Sequence, residues 1–171
     1  NAPPEIALWL VDVCEIDGTG AKPIRWRLLT THRVETLEQA RQIVAWYRQR
    51  WHIEQVFRTM KSEGLDVEAS QVTTAAALCK LAVMAVFTAV KIMQLVQARD
   101  GQVDRPASDV VPPTHLPLAE ALQTKLEGKT ALQKNPHPRH SIAWLAWIVA
   151  RLGGWKGYRS EHPPGPITMR H

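Results

Sequence analysis

The chain has 171 residues, of which 45% are apolar and 22% charged, and its formal net charge is +5. This length suffices for one domain with a real core, and the composition excludes wholesale disorder. The positive charge fits a polyanionic partner without establishing one. Cys14 and Cys79, the two cysteines, make neither a disulfide framework nor a metal set, so a reducing cytosol is the default location.

Two β-prone segments open the chain. Residues 6–16 alternate loosely between apolar and polar side chains, and residues 24–31 form a second such run after the turn signal Asp17-Gly18-Thr19-Gly20. We predict that the two segments pair as an antiparallel hairpin within residues 1–34. Trp26 lies at the start of the second strand, where a tryptophan is typical of packing at a sheet edge.

A long helix is predicted next. Thr36-x-x-Gln39 is an acceptable capping box, and the apolar periodicity continues to about Lys61, with Gly64 as the C′ residue. A helix of this length without an internal cap is compatible with a break near residues 50–52.

This helix carries two stripes of side chains. At about 100° per residue, the polar stripe spans an arc of roughly 80°, because its members are three, four, four and three residues apart. The polar stripe, named the signature stripe below, consists of Tyr47, Arg50, Glu54, Arg58 and Lys61. The neighbouring apolar stripe, which we expect to anchor the helix to a core, consists of Trp46, Ile53, Phe57 and Met60.

The signature stripe has two interpretations. Charges four residues apart are commonest on a solvated helix face, where each pair adds only about 0.2–0.5 kcal/mol. Alternatively, the carboxylate can hold a divalent metal, the cations can hold phosphates, and the phenol can pack on a sugar or base, a combination that suits chemistry on a nucleic-acid backbone. The tryptophans beside the stripe fit the first interpretation poorly.

The remainder is predicted to be helical. Residues 75–96, which follow a Thr73 or Thr74 cap, are apolar enough to raise the question of a membrane span. Because Lys80 and Lys91 interrupt the apolar run, we predict instead a buried core helix that packs on the signature helix, and no membrane partner. Shorter helices are expected at 116–126 and, after Ser141, at 142–152. The basic residues of 127–140 indicate either a phosphate-contacting loop or a solvated one. The prolines at 163–166 argue against a helix there and favour a loosely held tail.

A family resemblance joins these features. Tyr47-x2-Arg50-x3-Glu54-x6-Lys61 matches every position of the signature of a large group of bacterial cut-and-paste DDE transposases, the insertion-sequence-four type. Trp26-Arg27-Leu28-Leu29-Thr30-Thr31 resembles the strand that precedes this helix in the family, and Ala150-Arg151-Leu152-Gly153-Gly154 resembles a motif near its C-terminus.

The resemblance implies an α+β, mainly helical fold: the C-terminal part of a ribonuclease-H-like DDE catalytic core with an N-terminal β-hairpin. It places the end of a β insertion and the last sheet strand in residues 1–34. It places the signature helix and a buried helix in 35–101, and a C-terminal helical extension with a loosely held tail in 102–171.

The resemblance also implies roles for individual residues. Glu54 would be the third metal-binding carboxylate and the catalytic residue, holding Mg²⁺, with Mn²⁺ as an alternative. Arg50 and Lys61 would grip phosphates beside the scissile bond, and Tyr47 would contact a terminal phosphate. Trp26 matches a tryptophan that stacks on a flipped base in relatives. To these we add Arg58 as a further DNA contact, because it shares the stripe.

An activity and a location follow from the resemblance. Two metal ions between three carboxylates would drive phosphodiester hydrolysis and transesterification on double-stranded transposon ends and target DNA, in a DNA-bridged homodimer of the bacterial cytoplasm and nucleoid. The two aspartates of the family lie upstream of the segment that this chain matches. We therefore expect the polypeptide to be a C-terminal fragment that is inactive by itself.

Two functions of other classes stay open. A basic DNA-binding module without catalytic ancestry would bind duplex DNA unspecifically and ignore divalent metal. A relic of a broken mobile element would neither cleave DNA nor retain tight duplex binding.

Overall fold

The computed structural model describes residues 5–16, 23–63, 65–158 and 160–170. The chain divides into two compact units, Asn1–Ile53 and Glu54–His171. The described strands and α-helices, in chain order, are β1 (Trp9–Cys14), β2 (Arg25–Thr30), α1 (Leu37–Arg58), α2 (Ala75–Ala98), α3 (Leu116–Leu126), α4 (Ile142–Leu152) and α5 (Pro166–Met169). The predicted turn at Asp17–Gly18–Thr19–Gly20 and the predicted C′ residue Gly64 lie outside the described residues.

In the first unit, β1 and β2 pair antiparallel, which confirms the predicted hairpin. Side chains alternate between the two faces of a strand, so one face of the pair is buried and the other is exposed. The buried face carries Val11 opposite Leu28, and these side chains form a small core with Ile43 of α1.

The start of α1 follows the predicted capping box. The Gln39 backbone N–H donates to Thr36 Oγ1 at 3.2 Å, and the Thr36 N–H donates to Gln39 Oε1 at 3.0 Å. These bonds satisfy donors that the first turn of a helix leaves open. From there α1 continues without interruption to Arg58, so the helix has no break near residues 50–52, where its sequence is compatible with one.

The apolar stripe of α1 is largely exposed, which corrects the expectation that it anchors the helix to a core. Trp46, Ile53 and Phe57 are 46%, 58% and 53% exposed, whereas Met60 is buried. Helical periodicity aligns side chains on one face of a helix. Whether that face is covered depends on other elements, and the described residues do not cover this one.

In the second unit, α2 is capped by Thr74, whose Oγ1 accepts the Ala77 N–H at 3.3 Å. The residues that α2 buries lie between Ala85 and Ala98, so the prediction of a buried core helix is correct for the second half and wrong for the first. In the described part of the chain, α2 is the one helix long and apolar enough to cross a membrane, with 17% of the qualifying window buried. A single such helix is weak evidence for a span.

The main core of the second unit surrounds α4, whose predicted bounds 142–152 are confirmed. Ser141 Oγ accepts the Trp144 N–H at 3.1 Å as the N-cap, and eight of the eleven α4 residues are buried. A helix that is apolar all round belongs in the middle of a fold. It contacts α2, α3 and α5, and its Trp144 is fully buried.

The end of the chain packs on this core. α5 begins at Pro166, a favoured first residue of a helix, and Met169 is buried among the core residues. Arg99 Nη1 donates to the Pro164 carbonyl at 2.6 Å. These described residues of the tail are therefore packed and not loosely held. Residues 163–165 are not helical, as expected, but a helix begins at Pro166, because a proline at the N-terminus of a helix loses no hydrogen bond.

A mainly helical chain with a two-stranded antiparallel hairpin fits an α+β fold. The ribonuclease-H-like arrangement and the three predicted segments, 1–34, 35–101 and 102–171, stay predictions.

Candidate functional site

Four of the five members of the signature stripe lie on α1 itself. Because the helix is continuous through them, the spacing argument holds from Tyr47 to Arg58. The stripe is accessible along this length: Tyr47, Arg50 and Arg58 are exposed, and Glu54 is half-buried. None of the three charged side chains is without a partner. Tyr47 and Arg50 belong to the first unit, and Glu54 and Arg58 lie one helical turn apart in the second unit.

The fifth member, Lys61, follows an irregularity. After Arg58 the helix widens into a π-helical turn, Thr59–Glu63, so the regular angular spacing ends before Lys61. The irregularity lies downstream of residues 50–52, where the sequence is compatible with a break, and it falls between Arg58 and Lys61. The buried Thr59 lies at the transition, and its hydroxyl donates to the Gln55 carbonyl at 2.9 Å, a bond known to bend helices.

Lys61 is held by a partner from the loop that follows. Its Nζ lies 2.9 Å from Glu68 Oε1, and both side chains are mostly exposed. The hydrogen bond to Glu68 and the attraction of its charge raise the pKa of the Lys61 ammonium group above its ordinary value. In this structure the cation is thus paired with a carboxylate that a phosphate would have to displace.

The structure brings together two predicted site residues of the first unit. The rings of Trp26 and Tyr47 meet edge to face, with centroids 5.1 Å apart and planes at 67°. Trp26 is half-buried against the core of the hairpin and α1. It therefore packs within its unit and holds the phenol of Tyr47 on the exposed side of α1.

Asp12, a strand carboxylate near the predicted site residues, has a structural role. Arg25 Nε donates to Asp12 Oδ1 at 2.8 Å, a second Arg25 nitrogen pairs with Oδ2, and Arg27 Nε lies 3.7 Å from Oδ2. The hydrogen bonds from Arg25, together with the charges of both arginines, lower the pKa of the Asp12 carboxyl group. The Asp12 carboxylate of β1 therefore forms ion pairs with two arginines of β2 on the exposed face of the hairpin.

The comparison with protein families concerns the same part of the chain. Residues 16–90, less than half of the chain, match the family model described as transposase DDE domain. This match supports the interpretation of the chain as part of a DDE transposase. The matched stretch contains β2, all of α1 and the π-helical turn. DDE transposases are phosphodiester-cleaving enzymes of mobile elements that act on DNA, and a DNA partner agrees with the basic character of the chain.

DDE transposases generally use divalent metal ions, which hard oxygen ligands bind. Within the described residues, no three His, Cys, Asp or Glu side chains lie close enough together to hold one. Glu54 supplies at most one carboxylate, so this set of residues does not fit a two-metal centre by itself.

Sequence reasoning missed Thr59 and Glu68. A threonine inside a helix gives no signal of burial, and Glu68 lies beyond the π-helical turn that ends at Glu63, where the spacing of α1 no longer applies. Their positions depend on how the chain turns after α1.

Proposed function

We propose that the chain is the C-terminal part of the catalytic core of a cut-and-paste DNA transposase of the insertion-sequence-four type. Glu54 is the third metal-binding carboxylate, and Tyr47, Arg50, Arg58 and Lys61 contact the DNA backbone. The continuous helix that carries four of the five members of the signature stripe, inside the stretch that matches the family, supports this proposal most directly.

The substrate is double-stranded DNA, at the transposon ends and at the target. Trp26 is placed beside Tyr47, so a base displaced from the transposon end would meet an aromatic pair rather than a single ring. The intact protein acts as a DNA-bridged dimer in the bacterial cytoplasm, at the nucleoid, with Mg²⁺ or Mn²⁺ as the metal.

The 171-residue polypeptide does not cleave DNA alone, since no three His, Cys, Asp or Glu side chains of its described residues lie close enough together to hold a metal ion. With Mg²⁺ or Mn²⁺ and a supercoiled plasmid, nicking should stay at the level of a Glu54→Ala control. Cleavage by the parent chain above that control would contradict the proposed inactivity.

Duplex binding with and without Mg²⁺, at constant ionic strength, tests the role of Glu54. Electrostatics alone predicts that Mg²⁺ weakens binding by competing for phosphates, and that Glu54→Gln strengthens it by removing a negative charge. A carboxylate that shares a metal with a phosphate predicts the opposite response: Mg²⁺ strengthens binding by the parent chain and not by Glu54→Gln.

A matched control comes from the same helix. Glu38 is an exposed carboxylate in the first turn of α1, so Glu38→Gln should keep the Mg²⁺ response of the parent chain. If Mg²⁺ weakens binding equally in the parent and in both variants, the chain behaves as a basic DNA-binding module and the metal role of Glu54 is lost. If duplex binding is absent altogether, the relic of a broken element is the better description.

A further inference from the structure

A cavity of about 220 Å³ lies in the second unit, away from the signature stripe. The end of α2, the loop between α3 and α4, α4 itself and the segment after α4 each contribute to its wall. We name it the α4 cavity; the lining residues on which the argument depends are Arg99, Lys134, His137, Trp147, Trp155 and Gly157. Ligand pockets for drug-sized molecules begin at roughly 300 Å³, so this one suits a smaller group.

Two indoles belong to the apolar part of the wall, and Arg151 contacts the ring of one and the backbone of the other. The Arg151 guanidinium carbon lies 5.5 Å from the centre of the Trp147 ring, and Arg151 Nη1 donates to the carbonyls of Trp155 and Lys156 at 3.2 and 2.7 Å. Gly157, at a φ of 77°, has no side chain to cover the neighbouring indole of Trp155. Pre-arranged aromatic surfaces favour binding because little ordering is needed.

Polar groups of the wall favour a ligand with acceptor atoms and negative charge. Trp155 Nε1 has no hydrogen-bond partner among the described residues, but protein atoms cover it fully, so it offers no accessible donor to a ligand in the cavity. Lys134 and Arg99 bring positive charge, although Arg99 is engaged with the Pro164 carbonyl. Glu127 accepts hydrogen bonds from the Gln123 side chain and the Asn135 N–H, and these bonds, helped by the charges of Lys134 and Arg139, lower the pKa of its carboxyl group.

The imidazole of His137 adds a neutral polar group. Burial lowers the pKa of His137, and this effect outweighs the hydrogen bond with the Arg99 backbone and the charge of Asp100. At neutral pH the cavity therefore combines indoles, an uncharged imidazole and an exposed lysine.

We propose that the α4 cavity binds the base of one unpaired nucleotide of single-stranded DNA against Trp147 and Trp155, with the sugar and phosphate outside the cavity, beside the exposed Lys134. Aromatic platforms beside cations are the usual means of holding unpaired bases, and a paired base within a duplex could not enter a cavity of this size. The inference rests on the proposed function only for where the unpaired nucleotide comes from, since cleavage of DNA strands by a transposase would expose unpaired ends.

Nuclear magnetic resonance on the ¹⁵N-labelled 171-residue chain tests the site through the indole N–H signals. A single-stranded thymidine pentanucleotide should shift the signals of Trp147 and Trp155. The signal of Trp144 should stay in place, because that indole is buried outside the cavity and donates to Gln123 Oε1 at 2.7 Å. Thymidine 5′-monophosphate should move the same two signals, since it carries the same base and phosphate.

Substitutions in the chain test the contact with the base and the contact with the phosphate separately. Trp155→Ala should weaken pentanucleotide binding roughly 5- to 150-fold, the loss expected for one stacked base. Lys134→Gln, an exposed change that the fold tolerates, should weaken it and lower the salt slope by about 0.7. Lys129→Gln is the matched control, because Lys129 is an exposed lysine of the same loop that does not line the cavity.

Three results would overturn the site: equal affinity in Lys134→Gln and Lys129→Gln, the same indole shifts with inorganic phosphate alone, or effective competition by a fully paired duplex. The outcome is independent of the metal test on Glu54. If the pentanucleotide binds as expected but Mg²⁺ does not strengthen duplex binding, the transposase proposal is wrong and the nucleotide site is retained. If Mg²⁺ strengthens duplex binding but the pentanucleotide does not bind, the nucleotide site is wrong and the transposase proposal is retained.

Discussion

Replacing Lys61 with glutamine probes whether the signature stripe lies on the DNA backbone. Each phosphate neutralised on duplex DNA contributes about 0.9 to the slope of log affinity against log salt. Arg50, Arg58 and Lys61 together would then contribute a slope of about 2.7, and Lys61→Gln should reduce the total by about 0.9. Between 50 and 200 mM salt, that single contact accounts for a change of about 3.5-fold in affinity.

The pair with Glu68 makes this prediction specific to the structure. Because Lys61 is bound to Glu68 in the free chain, a phosphate must displace a carboxylate 2.9 Å away. Glu68→Gln should therefore strengthen duplex binding at low salt. In the Lys61→Gln background, Glu68→Gln should change duplex affinity much less, because there is no longer an ammonium group for which Glu68 and a phosphate compete.

Fluorescence anisotropy with a labelled duplex, recorded over a series of salt concentrations, measures both effects. Lys80→Gln is the matched control, because Lys80 is an exposed lysine of the same unit outside the stripe. An unchanged slope in Lys61→Gln, or an equal fall in Lys80→Gln, would refute the reasoning and favour diffuse attraction of a basic chain for DNA.

The remaining predictions concern the stability of the second unit, measured by urea denaturation. Gln123→Leu should cost about 1–3 kcal/mol, because it leaves the buried Trp144 indole N–H without its acceptor. Ser141→Ala should cost about 1 kcal/mol by removing the N-cap of α4, and Ser141→Asp should restore most of it. The hydrogen bond from Gln123 lowers the pKa of Glu127 in the folded chain, so the pair stabilises the fold at pH values above the usual glutamate pKa of about 4.3. This contribution to the free energy of unfolding should disappear as the pH falls below that value, and the Glu127→Gln variant should not show this loss.

Local features were predictable from the sequence wherever a short stretch of chain decides them. The capping box at Thr36 and Gln39, the Ser141 cap and the bounds of α4 depend on contacts within a few residues. The pairing of β1 with β2 was predictable as well, because two β-prone runs flank a turn signal.

Exposure was harder to predict, as the apolar residues of α1 and α2 illustrate. Phe57 and Met60 belong to one predicted stripe, yet Met60 is buried with Ala85 and Ala89 while Phe57 is exposed. Periodicity shows which side chains share a face, but the burial of a face depends on segments far away in the sequence. The packed tail at Met169 escaped prediction for the same reason.

The sequence by itself determined the spacing of Tyr47, Arg50, Glu54 and Arg58, because helix geometry follows from local hydrogen bonding and the structure keeps the helix intact between them. The tertiary structure alone decided that Lys61 lies in a π-helical turn and pairs with Glu68, and that Trp147 and Trp155 line the same cavity. These features join residues whose separation along the chain carries no periodic signal, so only the packing of the folded chain brings them together.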